Sequence, residues 1–392
     1  MKIGRKTGLG AAAIVTVAAL ALAGCSTGGS SGGSTSGSSN AGDCTPDSGV
    51  DWSAVQSTVG PYHKQPTDIP MKTPLSKPAT EPLTIAYLDN GTPVSTMMWQ
   101  NLQEIPKIAP NLTFTSMPVG TDAQSINTGL NSVLETKPDI VLSVALDPTF
   151  FINQLQQMKD EGITFVPASI TNAADFGLND VYGGMGAQLD SGRTLAAADL
   201  DLTCGKVGEY VFYNIPELAF SNVQAQAAID NMKKFCPDCT MRKVDIPVAV
   251  MDSQGADMIV SDLQSHPNTL AFAAAADEIQ VGLAQKMQVA GLKDVPGLGQ
   301  SSTPPNIQQI RDGQQAAGLA TDLHLLMWLL VDQALRLQQG MPDPVPTIDW
   351  ATFDPGFSQI LTKDTAEPYV ESGFIAVPDY QKDFAKLWGL SK

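Results

Sequence analysis

From Leu83 onward the chain alternates short apolar runs with amphipathic stretches, and this alternation limits the fold more than any other feature. LTIAYLD, LTFTSMP, DIVLSVAL and ITFVPAS, at 83–89, 112–118, 139–146 and 163–169, read as strands. Helical spacing fills the gaps at 94–104, 123–137 and 149–162. The second half repeats the scheme, with strands at 206–213, 241–248, 269–276 and 294–300 and helices at 191–202, 222–235, 255–266, 278–291 and 306–313. Strands written as continuous apolar runs are covered by helices on both faces, which is the signature of a parallel sheet. The sequence therefore predicts two α/β lobes, each a doubly wound parallel sheet. A further helix is expected over 316–339, with Leu319, Leu323, Leu326, Leu330, Ala334 and Leu337 on one core-facing stripe.

The N-terminus carries Lys2, Arg5 and Lys6, then an apolar run from Ala11 to Ala23. Charge, length and small-residue end mark a secretory signal, and the run is short for a membrane span. It closes on Leu22-Ala23-Gly24-Cys25, which reads as a bacterial lipobox with Cys25 as the acylated residue. Acyl chains anchor by burying methylenes at ~0.8 kcal/mol each. Residues 26–42 are nearly all Gly, Ser and Thr, a flexible tether, and prolines then recur from Pro61 to Pro82 in a segment expected to lie along the surface. The expected division is 1–24 signal, 25–81 tether, 82–187 with 322–348 as the first lobe, and 188–321 with 349–392 as the second.

Formal charge is -17, and loss of the three signal-peptide cations brings it to -20. That surface disfavours nucleic acid and anionic lipid. Apart from Cys25, four cysteines remain in an oxidising compartment: Cys44, Cys204, Cys236 and Cys239. Cys204 and the Cys236-Pro-Asp-Cys239 pair each precede a strand, so a disulfide from Cys204 to Cys236 or Cys239 is expected if those strands are neighbours. The three histidines, His63, His266 and His324, stand at no ligand spacing from these cysteines, so no metal and no cofactor is expected.

In order and spacing, several segments resemble the type I periplasmic-binding proteins, the sugar-binding branch related to ribose-binding and LacI-like sensor domains. They are GAQLDSGRTLAA, FAAAADEIQVGLAQKMQVAGL, IQQIRDGQQAAGLATD and QALRLQQGMP. The resemblance covers roughly 82–392. It implies two lobes joined by a multi-strand hinge, with a solute held between the strand ends. It also implies delivery of that solute to an ABC permease by a monomeric receptor on the outer face of the cytoplasmic membrane. The family's polar sugar-holding positions differ here: Ala276 precedes Asp277, Gln188-Leu189 stands in the crossover, and Ala168-Ser169 ends the fourth strand.

Ligands of open α/β sheets bind outside the carboxyl ends of the strands. Candidate contacts are therefore Asp89, Asn90, Asp147, Ser169, Asn222, Asp277, Gln300 and Ser301, with Asn214 and Glu217 beside them, Trp99 and Phe151 as rings for stacking, and Met98, Phe150, Phe176 and Phe220 as further apolar candidates. Asp89, Asn90 and Asp277 equally suit helix N-caps, and Trp99 and Phe151 equally suit the core. No Ser-His-Asp order and no Gly-rich phosphate loop is present, so an enzyme is not expected. Alternatives to solute delivery are a sensor docked on a membrane signalling protein, a binder of a less polar, non-sugar solute, and a surface lipoprotein with a dead cleft.

Overall fold

The computed structural model describes residues 44–120 and 122–390, with the backbone alone at Pro93; the signal, the tether up to residue 43 and the lipobox Cys25 lie outside the described residues. The first lobe runs β1 (Leu83–Asp89), α2 (Pro93–Leu102), β2 (Leu112–Pro118), α3 (Ala123–Glu135), β3 (Ile140–Val144), α4 (Ile152–Asp160) and β4 (Thr164–Ala168), after an N-terminal helix α1 (Trp52–Val59). The second runs α5 (Met185–Leu202), β5 (Glu209–Asn214), α6 (Ala219–Phe235), β6 (Thr240–Asp245), α7 (Met251–Ser265), β7 (Thr269–Ala274), α8 (Leu283–Val289), β8 (Gly297–Gly299), α9 (Pro304–Arg311) and β9 (Gly318–Thr321). The chain closes with α10 (Leu323–Gln338), α11 (Trp350–Phe353), β10 (Ser358–Leu361) and α12 (Tyr380–Leu387).

Each lobe has a four-stranded parallel sheet, ordered β2-β1-β3-β4 and β6-β5-β7-β8. Central strands are buried on both faces: Ile85, Ala86, Tyr87 and Leu88 of β1 and Tyr210, Val211, Phe212 and Tyr213 of β5 are at most 2 % exposed. Their apolar runs are thus explained by helices on both sides. β9 pairs antiparallel with β10, and Gln300 bridges to Leu319 beside β8.

Three expectations are corrected. Residues 318–321 form β9, so the helix expected over 316–339 starts only at Leu323. Asp322 accounts for the break: its carboxylate caps the Leu325 N–H at 2.8 Å and also accepts the Ala376 N–H at 2.8 Å. The tail, expected in the second lobe, returns largely to the first: Trp388 stacks on Trp328 of α10 at 5.5 Å and 11°, with Tyr380 and Phe384 against the same indole. The arm expected as tether carries α1, whose Val55 and Val59 enter the second lobe's core, while Ile69 and Met71 enter the first. Tyr62 of this arm lies between α5 and the segment before β10, its hydroxyl 2.8 Å from Asp354 and 3.1 Å from Asp190. One phenolic proton serves two carboxylates from different segments, and burial, then the Asp190 charge, pushes Asp354 up to about 7.

Cysteine pairing is also corrected. Cys236 bonds to Cys239 across its own turn, with Cα atoms 5.2 Å apart, so neither is free for Cys204. The Cys239 N–H already donates to Cys236 O at 3.0 Å, so the turn brings the two thiols together locally. Cys44 and Cys204 are disulfide-bonded as well.

One buried group opposes the fold. Asp199, in the middle of α5, has no exposed surface, and both carboxylate oxygens lack a hydrogen-bond partner among the described residues. Burial pushes its carboxyl well above the usual range. A raised acid favours folding most below its unfolded pKa and withdraws that support as pH climbs toward the folded value. Asp199→Ala is therefore expected to raise the unfolding free energy by about 1–3 kcal/mol at pH 8 and by less at pH 4. Urea titrations at both pH values check this.

Candidate functional site

In an open sheet ordered 2-1-3-4, the crossover direction reverses between the first and third strands, leaving a crevice at their carboxyl ends. Both lobes have that order, so the switch points lie at the ends of β1 and β3 and of β5 and β7. Helix α5 links the two sets of tips. Past β4, the Ser169 N–H donates to Tyr182 O at 2.8 Å, just before α5 begins. Two turns into α5, the Ser191 hydroxyl donates to Gln300 Oε1 at 3.1 Å, at the end of β8. Seven residues of helix span roughly 10 Å, so α5 holds the first sheet's tip close to the second's.

Most of the expected contacts lie at these tips, already engaged. Asp89 accepts from the Gly91 N–H at 2.9 Å and the Ser95 hydroxyl at 2.8 Å. Asn90 Oδ1 accepts from Thr92, and it is Thr92, not Asp89 or Asn90, that caps α2. Asp147 accepts the Thr149 N–H at 2.9 Å and the Asn172 side-chain amide at 3.0 Å. Asn222 is exposed, accepts from the buried Asn214 amide at 3.1 Å and donates to Pro216 O at 2.9 Å. Ser169, Gln300 and Ser301 are half-buried.

The rings stand elsewhere. Phe151 is 1 % exposed and packs edge-on to Phe165 in the first lobe's core. Trp99 lies parallel to Tyr87, centroids 6.3 Å apart, against the core. In this conformation Phe151 offers a solute no face.

Asp277 is neither a cap nor a surface group. It has no exposed surface, its carboxylate accepts from Gln280 Nε2 at 2.5 Å and from Gln315 Nε2 at 2.8 and 2.9 Å, and it makes no side-chain cap bond. Its N–H donates to Gln300 O at 2.9 Å, and its carbonyl accepts from Asn306 Nδ2 at 2.7 Å. A Cβ on Gly299 would stand 2.6 Å from Asp277 Cα, and one on Gly318 2.9 Å from its Oδ2. Two glycines thus let β8 and β9 close around the acid. Asp277 clamps the ends of β7 and β8 to the entering α9 and to β9, and its side chain is closed to solvent in this conformation. Burial pushes its carboxyl up to about 7 against the donors from Ser302, Gln315 and the Gly299 N–H.

Three features went unread in the sequence. Ala145, Ser169 and Ser301 take positive φ, at 56°, 56° and 60°, where β3, β4 and β8 end. Non-glycine residues in that region are held at about 1–3 kcal/mol each and cluster at functional sites; no local residue pattern announces them. The tips are also apolar. Of seven exposed large hydrophobic residues among the described residues, six lie at them: Phe150 and Ile152 after β3, Met185 and Leu189 on the first turns of α5, Val248 after β6 and Val281 after β7, of which only Phe150 was a sequence candidate. The third is Gln188, 4 % exposed at the start of α5, whose Nε2 donates to Gly183 O at 2.8 Å while its Oε1 has no partner among the described residues.

Residues 83–342 match the family model described as periplasmic binding protein domain. No curated protein matches the sequence. Among solved structures, an ABC transporter periplasmic solute binding protein from Actinobacillus succinogenes with bound D-allose aligns at 16% identity and TM-score 0.62, over 73% of this chain and 100% of its own. A glucose-galactose binding protein from Geobacillus stearothermophilus aligns at 15% identity and TM-score 0.60, over 72% and 98%. A protein from Mycobacterium smegmatis in complex with beta-D-fucofuranose aligns at 15% identity and TM-score 0.60, over 78% and 98%. At these identities the likeness is one of fold.

Proposed function

We propose that this chain, which belongs to the periplasmic binding protein domain family, is the lipid-anchored solute receptor of a bacterial ABC importer. The observation that carries the reading is the pair of equally ordered parallel sheets whose carboxyl tips meet along the first turns of α5. Such a gap encloses a small solute when the lobes close, and the solute shifts the population toward the closed form in proportion to its preference for it. A sugar or sugar-like molecule suits the reading: the tips bear half-buried or exposed polar groups at Asp147, Ser169, Asn222, Gln300 and Ser301, two of the structural neighbours named above hold sugars, and the third is described as a glucose-galactose binding protein. No chemistry on the solute is part of this role. Cys25 carries the acyl anchor after removal of 1–24, and the Gly/Ser tether lets a monomeric receptor reach a permease from the outer face of the membrane. No helix among the described residues is long and apolar enough to cross a membrane.

Two measurements test the proposal on the full chain. Radiolabelled palmitate is expected to enter the wild type and not Cys25→Ala, which leaves the membrane fraction. In a thermal-shift panel of sugars, polyols, nucleosides and aromatic acids, at least one compound is expected to raise Tm by several degrees, since saturation at 100 times Kd adds about 2.7 kcal/mol. If the panel is silent and nothing small copurifies with the protein, solute delivery is wrong.

A further inference from the structure

We infer that the captured solute joins an apolar face to neutral or cationic hydrogen-bond donors, and that acids and phosphate esters are refused. The inference deepens the solute-receptor reading and rests on it.

Two independent observations bear on the gap. The first is the apolar rim. Phe150, Ile152, Met185, Leu189, Val248 and Val281 are 39–55 % exposed, and they lie at strand tips of both lobes and on the helix between them. Exposed side chains of this size gain about 25 cal/mol for each Å² removed from water, which an apolar solute face supplies. The second is the charge of the tips. The loops and first helical turns that follow the eight sheet strands, residues 89–98, 118–129, 145–154, 169–192, 214–224, 245–255, 275–285 and 300–309, hold eleven carboxylates and no Lys, Arg or His. The nearest guanidinium, Arg193, is tied to Asp190 and Thr58. The helix N-terminus at α3, which could otherwise hold an anion, is occupied by Asp122. An anionic solute would meet eleven carboxylates and no cationic side chain in these segments.

At the second lobe's rim, Asp252 and Glu278 stand near each other, with Val248 and Val281 close by in sequence. Asp252, after burial, helps hold the Glu278 carboxyl above the usual range. No cation among the described residues forms an ion pair with either. A positively charged group on the solute would relieve that repulsion.

The test is calorimetric titration of the full chain with a matched panel. Each hexose is offered as the parent sugar, the 6-deoxy sugar, the phenyl glycoside, the amino sugar, the uronic acid and the 6-phosphate. For the hexose that binds, the deoxy, phenyl or amino form is expected to bind at least fivefold more tightly than the parent. The uronate and phosphate are expected to bind at least tenfold more weakly. Leu189→Ser and Phe150→Ser, whose side chains are exposed and whose Tm should stay that of the wild type, are expected to weaken the deoxy and phenyl forms more than the parent. A uronate or phosphate that binds as tightly as the parent overturns the inference and leaves the solute-receptor reading standing. So does an equal loss for every form in the two variants, because the rim residues would then serve lobe closure. Silence across the whole panel, with no copurifying small molecule, removes the receptor reading and the inference with it.

Discussion

Arg336→Leu is expected to lower the unfolding free energy by about 3–5 kcal/mol, the usual consequence of stripping one partner from a buried ion pair. Arg336 is 2 % exposed and Asp332 is fully buried one turn earlier in α10. Their Nε–Oδ2 distance is 2.6 Å, Trp388 Nε1 donates to Asp332 Oδ1 at 2.9 Å, and the guanidinium also reaches Thr73 O in the arm. Removing the guanidinium leaves a carboxylate in an apolar core, and the arm loses its anchor. The double replacement Arg336→Leu with Asp332→Leu is expected to recover most of the loss, because no unpaired charge remains. Urea unfolding of the two variants measures both effects. A single variant as stable as the wild type would show that water or another donor reaches Asp332.

The second large effect depends on pH. Asp277 and Asp354 are pushed up to about 7 and Asp322 to about 6, each chiefly by burial. These raised carboxyls contribute stability that is full below an unfolded pKa near 4 and is lost as pH rises through 6 to 7. For Asp277 alone the shift corresponds to roughly 4 kcal/mol. Asp277→Asn keeps an acceptor for the Gln315 amide and has no charge to bury. Its stability relative to the wild type is expected to rise by about that amount between pH 4 and pH 8. Chemical denaturation at pH 4, 6 and 8 gives the comparison. A constant difference would mean that Asp277 titrates as an ordinary surface acid, which its enclosure by Gly299, Gly318 and Gln315 opposes.

Much of the architecture was legible before any coordinates. The eight sheet strands follow the eight apolar runs, because a strand covered on both faces has nowhere to place polar residues. The site was legible only as a location. Position after a strand end singled out Asp89, Asp147, Ser169 and Gln300 as tip residues, yet could not say which of them were committed to the turns they sit in. Of the rim of exposed hydrophobic residues it named only Phe150, since Val248 and Val281 look like core in a linear reading. Gln188 had been read only as a departure from the family pattern, although its oxygen is one of several buried acceptors that lack a donor among the described residues.

Local patterning thus settled two α/β units and their strand succession, because periodicity records how many faces of a segment avoid water. Contacts between segments far apart in sequence settled the rest. Asp277 is sealed by glycines 22 and 41 residues further on, the tail crosses back to Trp328, and Tyr62 lodges between two acids. A residue's pattern tells which side it turns to the interior; only the packed chain decides what meets it there.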